Sequence, residues 1–85
     1  MNTIPEFRRA FGYVLRHRRE IRGMTQAELA GAIGGSEINI RTLERAASAP
    51  AMATFLLIAE ALGLDPRELL DEVLVRMAFL REGRE

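Results

Sequence analysis

Arginine offers the most chemistry in this sequence: all 12 basic residues are arginine and none is lysine. A guanidinium is planar and permanently charged, and its fork of N–H donors grips phosphates and guanine edges bidentately. The arginines are unevenly placed. Residues 1–45 hold eight of them against five acids, and residues 46–85 hold four against seven acids. A basic half followed by an acidic half points towards nucleic acid, although arginine in place of lysine throughout is also what a base-composition bias produces. A formal net charge of zero weighs against a tight binder of polyanions.

Other chemistry lacks parts. There is one histidine, His17, and no cysteine, so metal ligation and nucleophilic catalysis have no constellation to draw on, and no cofactor or metal is expected. His17 sits among arginines and reads as a solvated or phosphate-near side chain. Asp71 and Glu72 read as a solvated helix face rather than a catalytic pair. The four methionines read as core or interface filler. Absence of cysteine suits a reducing compartment. No run approaches the ~18 apolar residues of a membrane span, and the N-terminal stretch has no apolar signal core. A non-enzymatic cytoplasmic protein with no membrane partner is the expectation.

Positioning the arginines falls to helices. Thr3 and Glu6 are spaced as a capping box, with Pro5 in the first turn, and Phe7, Phe11, Val14 and Leu15 recur at helical spacing up to Gly23. Residues 16–19, Arg-His-Arg-Arg, form the outer face of this first helix. A second capping box, Thr25 with Glu28, opens a short helix with Leu29 and Ile33 on its apolar side, closed by Gly34-Gly35. Ser36 caps a third helix that buries Ile40 and Leu43. Residues 46–50 read as a turn. The fourth helix carries Met52, Phe55, Leu56, Ile58, Ala59 and Leu62, and Gly63 ends it. Asp65-Pro66-Arg67-Glu68 starts a fifth helix that runs to about Arg81. No strand pattern is present, so the fold class is all-α, in five short helices.

Residues 25–46 carry the decisive spacing. Two short helices joined by a brief glycine-containing turn match a helix-turn-helix. Ala30 is small enough for the crossing of the two helices, and Gly34 supplies the positive φ of the turn. In such a motif the second helix of the pair lies in the DNA major groove.

The stretch from about residue 11 to 70 resembles, without a gap, the Cro and lambda-repressor helix-turn-helix family, also called the xenobiotic-response-element family. Gly12, Leu15 and Arg19 match it in the first helix. So do Thr25, Gln26, Glu28, Leu29 and Ala30, then Gly34, Ser36, Ile40, Leu43, Glu44 and Pro50, and finally residues 58–69. The resemblance implies a single domain over 1–85 with a compact five-helix lambda-repressor-like fold. It implies a sequence-specific transcription regulator acting on double-stranded DNA. By position, Glu37, Ile38, Arg41 and Thr42 would read bases. Gln26, Ser36, Asn39, Arg45 and Arg16 would contact or lie near phosphates. Arg19 and Glu44 would form a buried structural salt bridge.

Some positions depart from the family. Gly35 stands where an apolar residue is usual, so the turn loses a core contact. Ala46 stands where glycine is usual, which leads to the expectation that the third helix runs on or the turn differs. Glu37 reads either as an acceptor for cytosine N4 or as a first-turn acid favouring the helix dipole. Ile38 reads either as a contact for a thymine methyl or as core on a rotated helix.

The last helix raises the question of partners. Leu69, Leu70, Val73, Leu74, Met77 and Leu80 span about 140° of one face at helical spacing and are expected to cover the core. Val75 and Phe79 lie on the other side, and Leu57 adds an apolar residue on the fourth helix. Apolar residues on a second side point to a homodimer interface at Leu57, Val75 and Phe79 with the helix over about 66–81 contributing, the competing cover being residues 1–10. A dimer would place two reading helices about 34 Å apart on a palindromic operator, with repression or self-regulation as output. The alternative is a protein-interaction module, such as an antitoxin with a toxin partner, using the same fold with weak or no DNA binding.

Overall fold

The computed structural model describes residues 3–83 and folds them into five helices: α1 (Thr3–Ile21), α2 (Gln26–Ala32), α3 (Glu37–Glu44), α4 (Met52–Ala61) and α5 (Pro66–Arg81). There is no strand among the described residues. None of these helices is long and apolar enough to cross a membrane. No group of three or more His, Asp or Glu among the described residues could hold a metal.

Local chemistry sets most of the boundaries. At α2 the Thr25 hydroxyl accepts from Glu28 N–H, and the Glu28 carboxylate accepts in return from Thr25 N–H. Asp65 and Glu68 repeat the reciprocal arrangement at α5, with Pro66 at the first helical position. Ser36 Oγ accepts from Asn39 N–H at α3. These caps satisfy donors that a helix start otherwise leaves bare. The Asp65 carboxyl is held down to about 2, chiefly by the Arg67 guanidinium and then by Arg67 N–H.

Helix ends share one design. After α1, α2, α3 and α4 a residue takes positive φ, and the N–H of the residue that follows it reaches back over the last turn, as in Gly35 N–H to Ala30 O and Ala47 N–H to Thr42 O. Gly23, Gly34 and Gly63 fill three of these positions, and Ala46 fills the fourth at φ 62°. So α3 does not run on past the turn: it ends at Glu44, and Ala46 accepts the left-handed conformation. That conformation costs a non-glycine residue ~1–2 kcal/mol, part of which glycine would give back through its freer unfolded chain. Ala46→Gly is therefore expected to stabilise the domain by about 0.5–1 kcal/mol, read as a thermal midpoint a few degrees higher. An unchanged or lower midpoint would show that the turn carries no strain.

The core joins all five helices. Phe11 and Leu15, Leu29, Ile40 and Leu43, Ile58, Leu69 and Val73 are essentially inaccessible. Phe11 packs between Phe7, on which it stacks, and Phe55, to which it is tilted, with ring centroids 5.9 and 5.7 Å away. α1 is the hub, packing along α5 and across α3, while α2 packs on α3.

Four expectations are corrected. Thr3 is the first residue inside α1 rather than its cap, and Glu6 accepts from Arg81 Nε at 2.6 Å instead of turning back to the chain start. The stretch 16–19 is not one outer face: Arg16 and His17 are exposed, while Arg18 and Arg19 turn inward to ion-pair with Glu72 and Glu44. On α5 the buried stripe is narrower than expected, because Leu70 and Leu74 are exposed and only Leu69, Val73 and Met77 are buried. Met52 and Leu56 of α4 are likewise exposed. A helix wedged against few neighbours buries little more than one residue per turn, so the flanks of a broad apolar stripe stay wet.

Candidate nucleic-acid interface

α3 is held by its inner face and presents its outer one. Ile40 and Leu43 are buried, while Ile38, two residues before Ile40, is 68% exposed. Ile38 is therefore not core. Glu37, Asn39 and Arg41 are exposed around it, and Thr42 is half-buried. Glu37 and Arg41 are paired one turn apart at 3.3 Å. Thr42 donates its hydroxyl to the Ile38 carbonyl at 2.8 Å, which leaves its oxygen lone pairs able to accept. Ser36 opens this surface at the positive end of α3.

The orientation of α3 is set by a polar knot. The Arg19 guanidinium donates to both oxygens of Glu44, at 2.6 and 3.0 Å, and to Met24 O at 2.8 Å. Gln26 Nε2 donates to Glu44 Oε1 at 3.0 Å. The Arg19 and Glu44 side chains are only 11% and 5% exposed. Burial would discourage the Arg19 charge, but the Glu44 hydrogen bonds outweigh it and raise the Arg19 pKa further. The knot ties α1, the turn before α2, the first residue of α2 and the end of α3. Gln26 is thus partly engaged inside the protein, with the second N–H of its amide left to donate.

Beside α3 lies an open groove of about 480 Å³ between α1 and the turn after α3. Arg9, Arg16 and Arg45 line it, together with Tyr13 and His17. Arg16 also reaches Glu20 at 3.2 Å. Arg9 is absent from the sequence-based candidates, yet residues 9, 13, 16 and 20 share one helical face, a row visible in the sequence once the groove is known. The structure thus brings Arg16 near Arg45, and gathers Glu37, Ile38, Arg41 and Asn39 on one helix. It does not bring the three candidate dimer residues together. Leu57 lines a cleft with Leu56, Leu64 and Pro66, whereas Val75 and Phe79 line another with Tyr13 and His17.

Gly12 is the positioning residue whose role the sequence hid. A Cβ there would lie 2.7 Å from Leu43 O and 2.8 Å from Glu44 O. α1 and the end of α3 therefore approach so closely at their crossing that only a glycine fits. Ala30, buried at 3%, serves the α2 crossing.

A family model described as a helix-turn-helix domain matches residues 10–73. A solved structure of the clp gene regulator ClgR from Corynebacterium glutamicum is 30% identical, covers 91% of this chain and 82% of that chain, and superposes with a TM-score of 0.85. A second structure of ClgR from C. glutamicum is 31% identical, with 84% and 92% covered and a TM-score of 0.77. Among curated protein sequences nothing matches.

Proposed function

The chain belongs to the helix-turn-helix domain family, as a DNA-binding transcription regulator of the xenobiotic-response-element type, and from that premise we propose that it occupies a palindromic operator as a homodimer and represses, most simply its own gene. The observation that carries this reading is the α3 surface: a helix anchored by Ile40 and Leu43 that leaves Glu37, Ile38 and Arg41 to solvent. A helix so presented fits a major groove, with base-reading by Glu37, Ile38, Arg41 and Thr42. Gln26, Ser36, Asn39, Arg45 and Arg16 then take the phosphates, and the groove adds Arg9. Regulation by occupancy requires no chemistry of the protein itself, which fits a regulator rather than an enzyme.

For the second copy, the face of α4 and α5 around Leu57 leaves apolar side chains to hide. Leu56 and Leu57 are about half exposed beside Pro66, and exposed Leu70 and Leu74 follow one and two turns along α5. Covering such a patch favours association. Phe79 is already half covered by the chain's own Arg76.

Selection of bound sequences from random duplex DNA tests the proposal. Enrichment of an inverted repeat with half-sites about one helical turn apart is the expected result. No enrichment, with binding that ignores sequence and salt, would favour a protein-interaction module, the reading to which the Glu37–Arg41 pair and the zero net charge lend support. On the selected operator, Arg41→Ala is expected to lower discrimination against a mismatched base by ~1–3 kcal/mol. An equal loss on operator and random DNA would move Arg41 to the phosphates.

A further inference from the structure

The cleft between α1 and α5 contains a cation, Arg76, that forms no ion pair among the described residues. It measures about 250 Å³ and is walled by Tyr13 and His17 on one side and by Glu72, Val75, Arg76 and Phe79 on the other. The Arg76 guanidinium lies 3.7 Å from the centre of the Tyr13 ring and 5.0 Å from that of Phe79. Aromatic faces hold a guanidinium by its flat sides, which leaves the in-plane N–H groups to be satisfied by something else. Of these, the Arg76 Nε is buried without a hydrogen-bond partner among the described residues. Glu72, the one acid in the wall, is committed at both oxygens to Arg18.

We propose that this cleft binds a small monocarboxylate with an apolar body, an aromatic or branched aliphatic acid, its carboxylate on Arg76. With the Nε buried, a carboxylate would meet the two terminal nitrogens of the guanidinium and answer the missing charge. Val75, 62% exposed, and the rings of Phe79 and Tyr13 offer apolar walls to the rest of the molecule. A phosphate ester, with more charge, would call for more donors than one guanidinium supplies. The volume falls just below the ~300–1,000 Å³ of sites for drug-sized ligands, which sets the size class. Binding here is independent of DNA, although Tyr13 and His17 also line the basic groove, so an occupant would lie alongside it.

Amide NMR titration of the full chain with sodium benzoate, and with benzamide as the uncharged isostere at matched ionic strength, tests the proposal. Benzoate is expected to produce saturable shifts at Tyr13, Val75 and Phe79, and benzamide to bind at least tenfold more weakly. Arg76→Gln should abolish the benzoate response. Arg76→Lys, which keeps the charge and loses the fork, should weaken it several-fold. Equal response to benzamide, a response that never saturates, or undiminished binding by Arg76→Gln would overturn the site. So would shifts of the same residues on raising protein concentration alone, which would assign the cleft to a second copy. The benzoate–benzamide comparison decides the matter on the unaltered chain even where a variant folds poorly.

Discussion

Glu44→Ala is expected to remove about 3–5 kcal/mol of stability, the cost of stranding one member of a buried ion pair. The charge left behind is that of Arg19, whose side chain is 11% exposed and whose Glu44 partner is 5% exposed. The loss extends beyond one pair, because Glu44 Oε1 also accepts from Gln26. Only Met24 O would remain to satisfy the guanidinium. For a domain of this size, whose whole stability is about 5–15 kcal/mol, that is a large share, and the urea midpoint should fall steeply. Urea unfolding measures the effect directly. Arg18–Glu72 supplies the control: it is also bidentate, but its side chains are 32% and 30% exposed. Screening by solvent holds such pairs to ~1 kcal/mol or less, so Glu72→Ala should be mild. Equal costs for the two variants would mean that the Arg19–Glu44 pair is as wet as the other.

This contrast marks what was legible in the sequence. Helix starts were legible where a side chain does the capping by itself, as at Thr25, Ser36 and Asp65, because the partners lie within three residues. The family pattern indicated the five-helix order and the outward face of α3. Long-range partners were less legible. Nothing in the periodicity of α1 says that Arg18 meets Glu72, 54 residues away, or that Glu6 meets Arg81. Those contacts depend on the angle at which α1 and α5 pack. That angle also decides which leucines of a broad stripe are covered, and it leaves Leu70 and Leu74 out. Ala46 departs from its propensity for a different reason. Propensity opposes a left-handed alanine, but its N–H and that of Ala47 both bond back to the last turn of α3, and Ile40 and Leu43 hold that turn in the core. Tertiary packing outweighs a local cost of ~1–2 kcal/mol.

Gly12→Ala carries the second large expectation, and its sign is the informative part. Within a helix the change alone gains about 1 kcal/mol, since glycine pays more backbone entropy. At Gly12 the new methyl would meet Leu43 O at 2.7 Å, Glu44 O at 2.8 Å and the Glu44 carbonyl carbon at 3.2 Å. All three are backbone atoms, so no side chain can swing aside; α3 itself must move away from α1. Overpacking of this kind costs ~1–3 kcal/mol, and the shift would also lengthen the Arg19–Glu44 bonds that close the same crossing. The variant is therefore expected to lose stability despite its better helix former, and to lose operator affinity through the displaced α3. Gly31→Ala is the same chemical change on α2 with open space around it. It should gain up to about 1 kcal/mol. Opposite signs at the two glycines, read from urea midpoints, identify the α1–α3 crossing as the contact that sets the angle of α3; a stabilising alanine at Gly12 would show that the helices do not approach so closely.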